Sequence, residues 1–244
     1  MTHCTACRAA RPQSARLLSL FDSLGPIMSG PSSSHTAGMA RIGRMGRSLV
    51  GGTPERITLH FFGALSHTYK GHASDSAVLA GLIGEREDSP NVRHALRLAA
   101  ERGVEVEIRT HPDSGRNPNT VSMELVRGGR TYAVAGVSVG GGEIEMTELE
   151  GFPVCLRGNE DGALFIGPDG LGRAVFEERL GALSGFSCVK DGERALYLCL
   201  AEKPFPDGMD MPGLEMFPVR NILGNKLADA EPLFSTLAAM AEMA

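Results

Sequence analysis

From Ala37 to Leu49 the apolar residues Met39, Ile42, Met45 and Leu49 recur at intervals of three and four, and shortly afterwards Ile57, Leu59 and Phe61 recur at intervals of two. The first period lays one face of a helix on a core and the second lays one face of a strand there, so a helix packed on a sheet is the least this pattern requires. The limits of the helix are written beside it. Gly51-Gly52 stops it. The preceding GPIMSGPSSSHT (25–36) contains two Gly-Pro steps, which forbid a helix continuing from upstream. Ser34 or Thr36 is then placed to cap its start.

The same reading extends along the chain. Leu17, Leu18 and Phe21 in QSARLLSLFD (13–22) suit a short helix. The polar loop ALSHTYKGHASD (64–75) ends with Ser74 or Asp75 as cap of a helix through Val78, Leu79 and Leu82. A further helix over 91–102 stops at Gly103, and Val104, Val106 and Ile108 alternate as a strand. Strands over 121–126 and 131–139 are joined by Arg-Gly-Gly-Arg, a hairpin signal, and SVGGGEIE (138–145) leads into another strand. Beyond a compositional change near 151–158, strands at 163–166 and 195–200 flank a helix near 171–183, a small β-α-β unit. KPFPDGMDMPGLEMFP (203–218) precedes an apolar helix near 231–243. Helices mixed with antiparallel strands define an α+β (mixed α/β) fold. The boundaries expected are a leader at 1–16, a main domain at 17–156, the β-α-β unit at 157–203, and a Pro/Met-rich segment with a C-terminal helix at 204–244.

Composition removes several functions. A net charge of -5 and no basic tail argue against nucleic acid. No apolar run approaches the roughly 20 residues of a membrane span, and the N-terminus lacks a signal-peptide core, which predicts a cytoplasmic chain without membrane contact. Five cysteines, an odd number, are expected to be free thiols rather than a disulfide framework. Cys4 and Cys7 form C-x-x-C beside His3, but no second ligand pair completes a metal site, so a frayed tail is the simpler reading. Cys188 and Cys199 lie by apolar stretches and read as small buried packing residues. Arg41, Arg44 and Arg47 recur every three residues on another face of the helix, either as a solvated stripe or facing an anion or a partner.

Chemistry concentrates at Ser33, Ser34, His35 and Thr36. A helix start offers unpaired N–H groups and partial positive charge to a carboxylate or phosphate, and hydroxyls add adjustable hydrogen bonds. His35 can accept a proton near neutral pH, its ordinary pKa lying near 6.5. The P-loop and nucleophile-elbow patterns are both missing. A second cluster, TYKGHASD (68–75), again sets a histidine, His72, and hydroxyls before a helix, with Lys70 to attract an anion. Asn117-Pro118-Asn119-Thr120 forms a third polar turn.

Together GPSSSHTAG (30–38), TYKGHASD (68–75), NPNT (117–120) and SVGGGEIE (138–145) resemble, in order, the β-subunit or β-domain of the iron-sulfur L-serine dehydratases, over roughly residues 17–156. The resemblance implies half of a two-part lyase that converts L-serine to pyruvate and ammonia. The partner α-subunit would hold a 4Fe-4S cluster, with no metal ligand in this chain. It further implies His35 as the base taking the α-proton, Ser33, Ser34 and Thr36 orienting the imidazole or substrate, and Asn119 binding the substrate; Lys70 and His72 are added as substrate-binding residues. The family usually has histidine where this chain has Asn117, which keeps hydrogen bonding but cannot titrate. The implied fold is the allosteric substrate-binding domain also found in some phosphoglycerate dehydrogenases, followed by a diverged ACT-like unit. Two rival classes stay open: a non-catalytic module that binds a small amino or hydroxy acid and regulates a partner, and a freestanding metal enzyme using the scattered histidines. A homo-oligomer of the heteromer is also compatible.

Overall fold

The computed structural model describes residues 33–112, 115–206 and 209–223. The helices expected at 13–22 and 231–243, and Cys4 and Cys7, lie outside the described residues.

Helix α1 (Ser33–Leu49) buries Met39, Ile42, Met45 and Leu49 almost completely, as their spacing requires. It begins earlier than expected, so Ser34, His35 and Thr36 occupy its first turn instead of capping it from outside. Its end is a Schellman motif: Gly51, at φ 73°, donates its N–H to Ser48 O, and Gly52 donates to Arg47 O, both at 2.9 Å.

Strand β1 (Arg56–Phe62) then turns Ile57, Leu59 and Phe61 toward the helices. A crossover made of α2 (Leu65–Thr68), α3 (Ser74–Leu82), a 3-10 turn at Pro90–His94 and α4 (Ala95–Glu101) returns the chain to β2 (Glu105–His111), parallel to β1. On the other side of β1 run β3 (Thr120–Arg127), β4 (Arg130–Gly140), β5 (Glu143–Leu149) and β6 (Phe152–Leu156), antiparallel in turn. The six-stranded order is β2-β1-β3-β4-β5-β6. The β3–β4 hairpin closes through Gly128 and Gly129, at φ 60° and 76°, the two left-handed residues of a type I′ turn.

Helices α1 and α3 cross at glycines. A Cβ on Gly81 would overlap the carbonyl oxygen of Ala40, and one on Gly43 would overlap that of Val78. The two backbones touch there, which places the N-terminal turns of both helices side by side. Gly81→Ala is expected to cost about 1–3 kcal/mol through overpacking, read as a lower urea midpoint at unchanged m-value.

A second sheet follows, built from β7 (Asp161–Pro168), helix α5 (Arg173–Leu180), β8 (Gly185–Asp191), β9 (Arg194–Ala201) and β10 (Glu215–Val219), in the order β10-β7-β9-β8. Strand β9 lies antiparallel between β7 and β8, splitting the β-α-β connection, and β10 from the Pro/Met-rich stretch pairs antiparallel with β7. Both faces of this sheet are covered. Leu164, Ile166, Leu196 and Leu198 join the main core, while Ala163, Phe165 and Tyr197 pack with Phe176 of α5. Double burial explains why β7 and β9 read as unbroken apolar runs rather than alternating ones. Tyr197 tolerates it because its hydroxyl donates to Pro168 O at 2.7 Å and accepts from Leu171 N–H at 3.2 Å. The observed α+β architecture matches the expected fold class. Among the described residues no helix is long and apolar enough to cross a membrane.

Candidate functional site

The glycine crossing brings the first turn of α1 against the first turn of α3. There His35 Nε2 lies 3.1 Å from Ser74 Oγ, and Thr36 Oγ1 donates to the His72 carbonyl at 3.2 Å. The His35 and His72 rings meet edge to face with centroids 5.8 Å apart. Ser74 and Thr36 are buried, His35 is half-buried and His72 is exposed. A half-buried imidazole with one nitrogen held by a buried hydroxyl can exchange a proton with a bound molecule while keeping its orientation.

Burial, and after it the neighbouring His72 imidazole, hold the His35 pKa below its ordinary value. The ring is therefore neutral at pH 7, the form a base requires. Among the described residues its Nδ1 makes no hydrogen bond.

Ser74 had been expected as a helix cap. The N-cap is instead Ala73, in the left-handed conformation at φ 53°, with no side-chain cap, and Asp75 Oδ1 accepts only the adjacent Ser76 N–H at 2.7 Å. That backbone kink releases the Ser74 hydroxyl to face α1. The sequence signal was its place in TYKGHASD, where a capping role concealed its partner.

The remaining candidates are distributed around this pair. Asn119 is exposed in its turn, its N–H accepted by Asn117 Oδ1 at 2.9 Å and its carbonyl accepting from Ser138 N–H at 3.2 Å. Buried Ser138 in turn presses on α1, since a Cβ on Gly38 would come within 2.5 Å of its Oγ. The NPNT turn is thus tied through β4 to α1 one turn beyond His35. Lys70 is exposed with its Nζ 5.8 Å from the Tyr69 ring centroid, and no described contact joins it to His35. Ser33 opens α1.

A buried ion cluster supports the helix from the far side. Arg41 Nε donates to Glu87 Oε1 at 2.8 Å and its Nη1 to Gly142 O at 2.6 Å, while Arg44 Nη1 donates to Glu87 Oε2 at 3.0 Å. Burial pushes the Glu87 carboxyl up, but Arg41, a backbone hydrogen bond and Arg44 together outweigh it and hold the group below its usual range. Arg41 thereby anchors the Gly140–Gly142 turn to α1. Glu87 carries no sequence signal, because GEREDSP reads as an exposed charged loop.

The family model described as "Serine dehydratase beta chain" matches residues 19–112, which include α1, β1 and α3. The "Probable L-serine dehydratase, beta chain" of Bacillus subtilis (strain 168) is 42% identical over 154 residues, 63% of this chain and 70% of the relative. The chain belongs to the serine dehydratase beta-chain family. The "L-serine dehydratase, beta chain" of Peptoniphilus asaccharolyticus is 34% identical over 143 residues, 57% of this chain and 64% of that one. The "L-serine dehydratase 2" of Escherichia coli (strain K12) is 35% identical over 82 residues, which span only 18% of its length.

The described cysteines of this beta chain do not converge as the ligand set of an iron-sulfur cluster. Among the described residues Cys155 is half-buried, Cys188 exposed and Cys199 buried, none of them in a disulfide, and no group of three His, Cys, Asp or Glu side chains could hold a metal ion. Cys199 faces the α5 side of the second sheet, where burial pushes its thiol up to about 12, unsuited to a thiolate ligand. Cys188, expected to be buried, is exposed instead because it stands on the edge strand β8.

Proposed function

We propose that this chain is the β subunit of an L-serine dehydratase, active with an α-subunit, and that His35 is the base that removes the Cα proton of L-serine. The observation that carries the reading is the His35–Ser74 pair, formed between GPSSSHTAG and TYKGHASD in a chain that belongs to this family. The 4Fe-4S cluster implied by the resemblance is assigned to the α-subunit, since the described cysteines here do not converge.

With Nε2–H donating to Ser74 Oγ, the lone pair that takes the proton is on Nδ1. The electron pair of the broken Cα–H bond forms the Cα=Cβ bond as hydroxide leaves Cβ, giving aminoacrylate. Its imine tautomer takes up water to yield pyruvate and ammonia. Thr36, by fixing the His72 carbonyl, holds the second motif loop against α1. Ser33 and Ser34 in the first helical turn, Asn119, Lys70 and His72 supply hydrogen bonds and positive charge for the carboxylate of the amino acid.

The test is anaerobic reconstitution of the full chain with its α-subunit and assay of pyruvate from L-serine. Turnover that requires both chains supports the reading. A complex that forms but makes no pyruvate, while this chain alone binds serine, would assign it instead to the regulatory class that Asn117 favours.

A further inference from the structure

Four motifs carry the candidate site, but the contact that fixes the last of them comes from a residue outside all four. Arg41 follows His35 by six residues on α1, about 9 Å further along the helix. Its guanidinium is buried and divides its donors between two partners. Nε donates to Glu87 Oε1 at 2.8 Å, while Nη1 donates to Gly142 O at 2.6 Å. The ion pair answers the charge of Arg41, whereas the bond to Gly142 O ties the turn between β4 and β5 to the helix.

That turn is loosely built. Gly140, Gly141 and Gly142 stand at φ 101°, 61° and 79°, three successive residues with the widest backbone freedom, and a Cβ on Gly140 or Gly141 would meet nothing within 4 Å. The β4–β5 pairing also slips its register between Ser138 and Gly140. Ser138, just before the slip, is buried and meets two parts of the site. Its N–H donates to Asn119 O at 3.2 Å, and its Oγ lies against Gly38, one turn beyond His35 on α1. A shift of the turn is therefore passed to Asn119 and to α1 together.

We propose that Arg41 is a positioning residue for the dehydratase reaction: by holding Gly142 O it fixes the β4–β5 turn, and through Ser138 it sets the place of Asn119 relative to His35. The inference rests on the reading of Asn119 as a substrate-binding residue. Arg41 acts through the turn and not on the reacting atoms. Its rigid fork of donors can serve a carboxylate and a carbonyl at once, which the point charge of a lysine does not reproduce. The effect falls on substrate binding rather than on proton removal, because His35 is held separately by Ser74.

Two variants separate positioning from stability. Arg41→Met combined with Glu87→Met removes the ion pair and the grip on Gly142 together while keeping the core packed, and Arg41→Lys keeps a charge beside Glu87 but gives up the second donor. Reconstituted with the α-subunit, each is expected to raise KM for L-serine about 10-fold, the equivalent of one hydrogen bond, with kcat nearly unchanged. Amide exchange at Ser138, whose N–H is bonded to Asn119 O, should quicken about 10-fold or more in the same variants. A general loss of stability would speed exchange equally at Met45 in the core of α1. Arg44→Gln, which loosens Glu87 and leaves the Gly142 contact in place, should change neither KM nor Ser138 exchange. Wild-type KM or wild-type Ser138 exchange in either folded variant overturns the proposal, as does equal acceleration at Ser138 and Met45. A wild-type complex without turnover refutes the dehydratase reading alone, and calorimetric affinity for L-serine then takes the place of KM in deciding the role of Arg41.

Discussion

His35→Gln is expected to lower kcat of the reconstituted enzyme by about 10²–10⁴-fold, the usual contribution of a positioned base, with the complex intact. Glutamine preserves size and one hydrogen bond toward Ser74 but cannot take a proton. Because burial and then His72 depress the His35 pKa, wild-type turnover should stay level through neutral pH and fall only below 6.5, as the ring protonates. Ser74→Ala should be milder, about tenfold, and should move that acid limb to lower pH, since the hydroxyl is the acceptor that stabilises the imidazolium. A merely structural Ser74 would leave the limb in place. Stability follows the same group: between pH 6.5 and the depressed folded value the unfolded state binds more protons. The contribution from His35 is therefore complete above pH 6.5, declines as pH falls below it, and levels off below the folded pKa. Turnover of the His35→Gln complex near the wild-type rate would remove the base assignment.

Glu87→Ala is expected to destabilise the chain by about 3–5 kcal/mol, because it leaves the Arg41 guanidinium buried without its carboxylate. Arg41 is 4% exposed and Glu87 5%, so water cannot replace the lost partner without opening the core. Against a domain stability of about 5–15 kcal/mol this is a large fraction, and urea unfolding would show it directly. Replacing both side chains by methionine should recover most of the loss, since a packed apolar pair avoids the desolvation that the ion pair endures. The pair has its own pH signature. The Glu87 pKa is depressed in the fold, so its stabilisation is present above the unfolded carboxyl range and is lost as pH falls through the folded value. A loss below about 1 kcal/mol in Glu87→Ala would show that Arg41 finds another partner or reaches solvent.

What local chemistry encodes was legible before any coordinates. The period of Met39, Ile42, Met45 and Leu49, the Gly51-Gly52 stop, the alternation of β1 and the Gly128-Gly129 hairpin all act within a few residues, and each appears in the fold as read. The ordered motifs around His35 and His72 likewise carried the family. Facts of a second kind depend on which residues meet from far apart. Ser74 read as a cap because capping is the local use of a hydroxyl before a helix, and only the strained Ala73 turn gives it His35, 39 residues away. Glu87 has no local mark at all, since its partner Arg41 stands 46 residues earlier and is buried against it. Cys188 and Cys199 look alike in sequence but stand on an edge and a central strand. The sequence by itself determined the α+β class, helix α1 and its glycine stop, strand β1, the β3–β4 hairpin and the family, because periodicity and turn chemistry are short-ranged. Only the tertiary structure decided the partner of the His35 imidazole and the buried ion cluster, because long-range pairing is set by how whole helices and sheets pack.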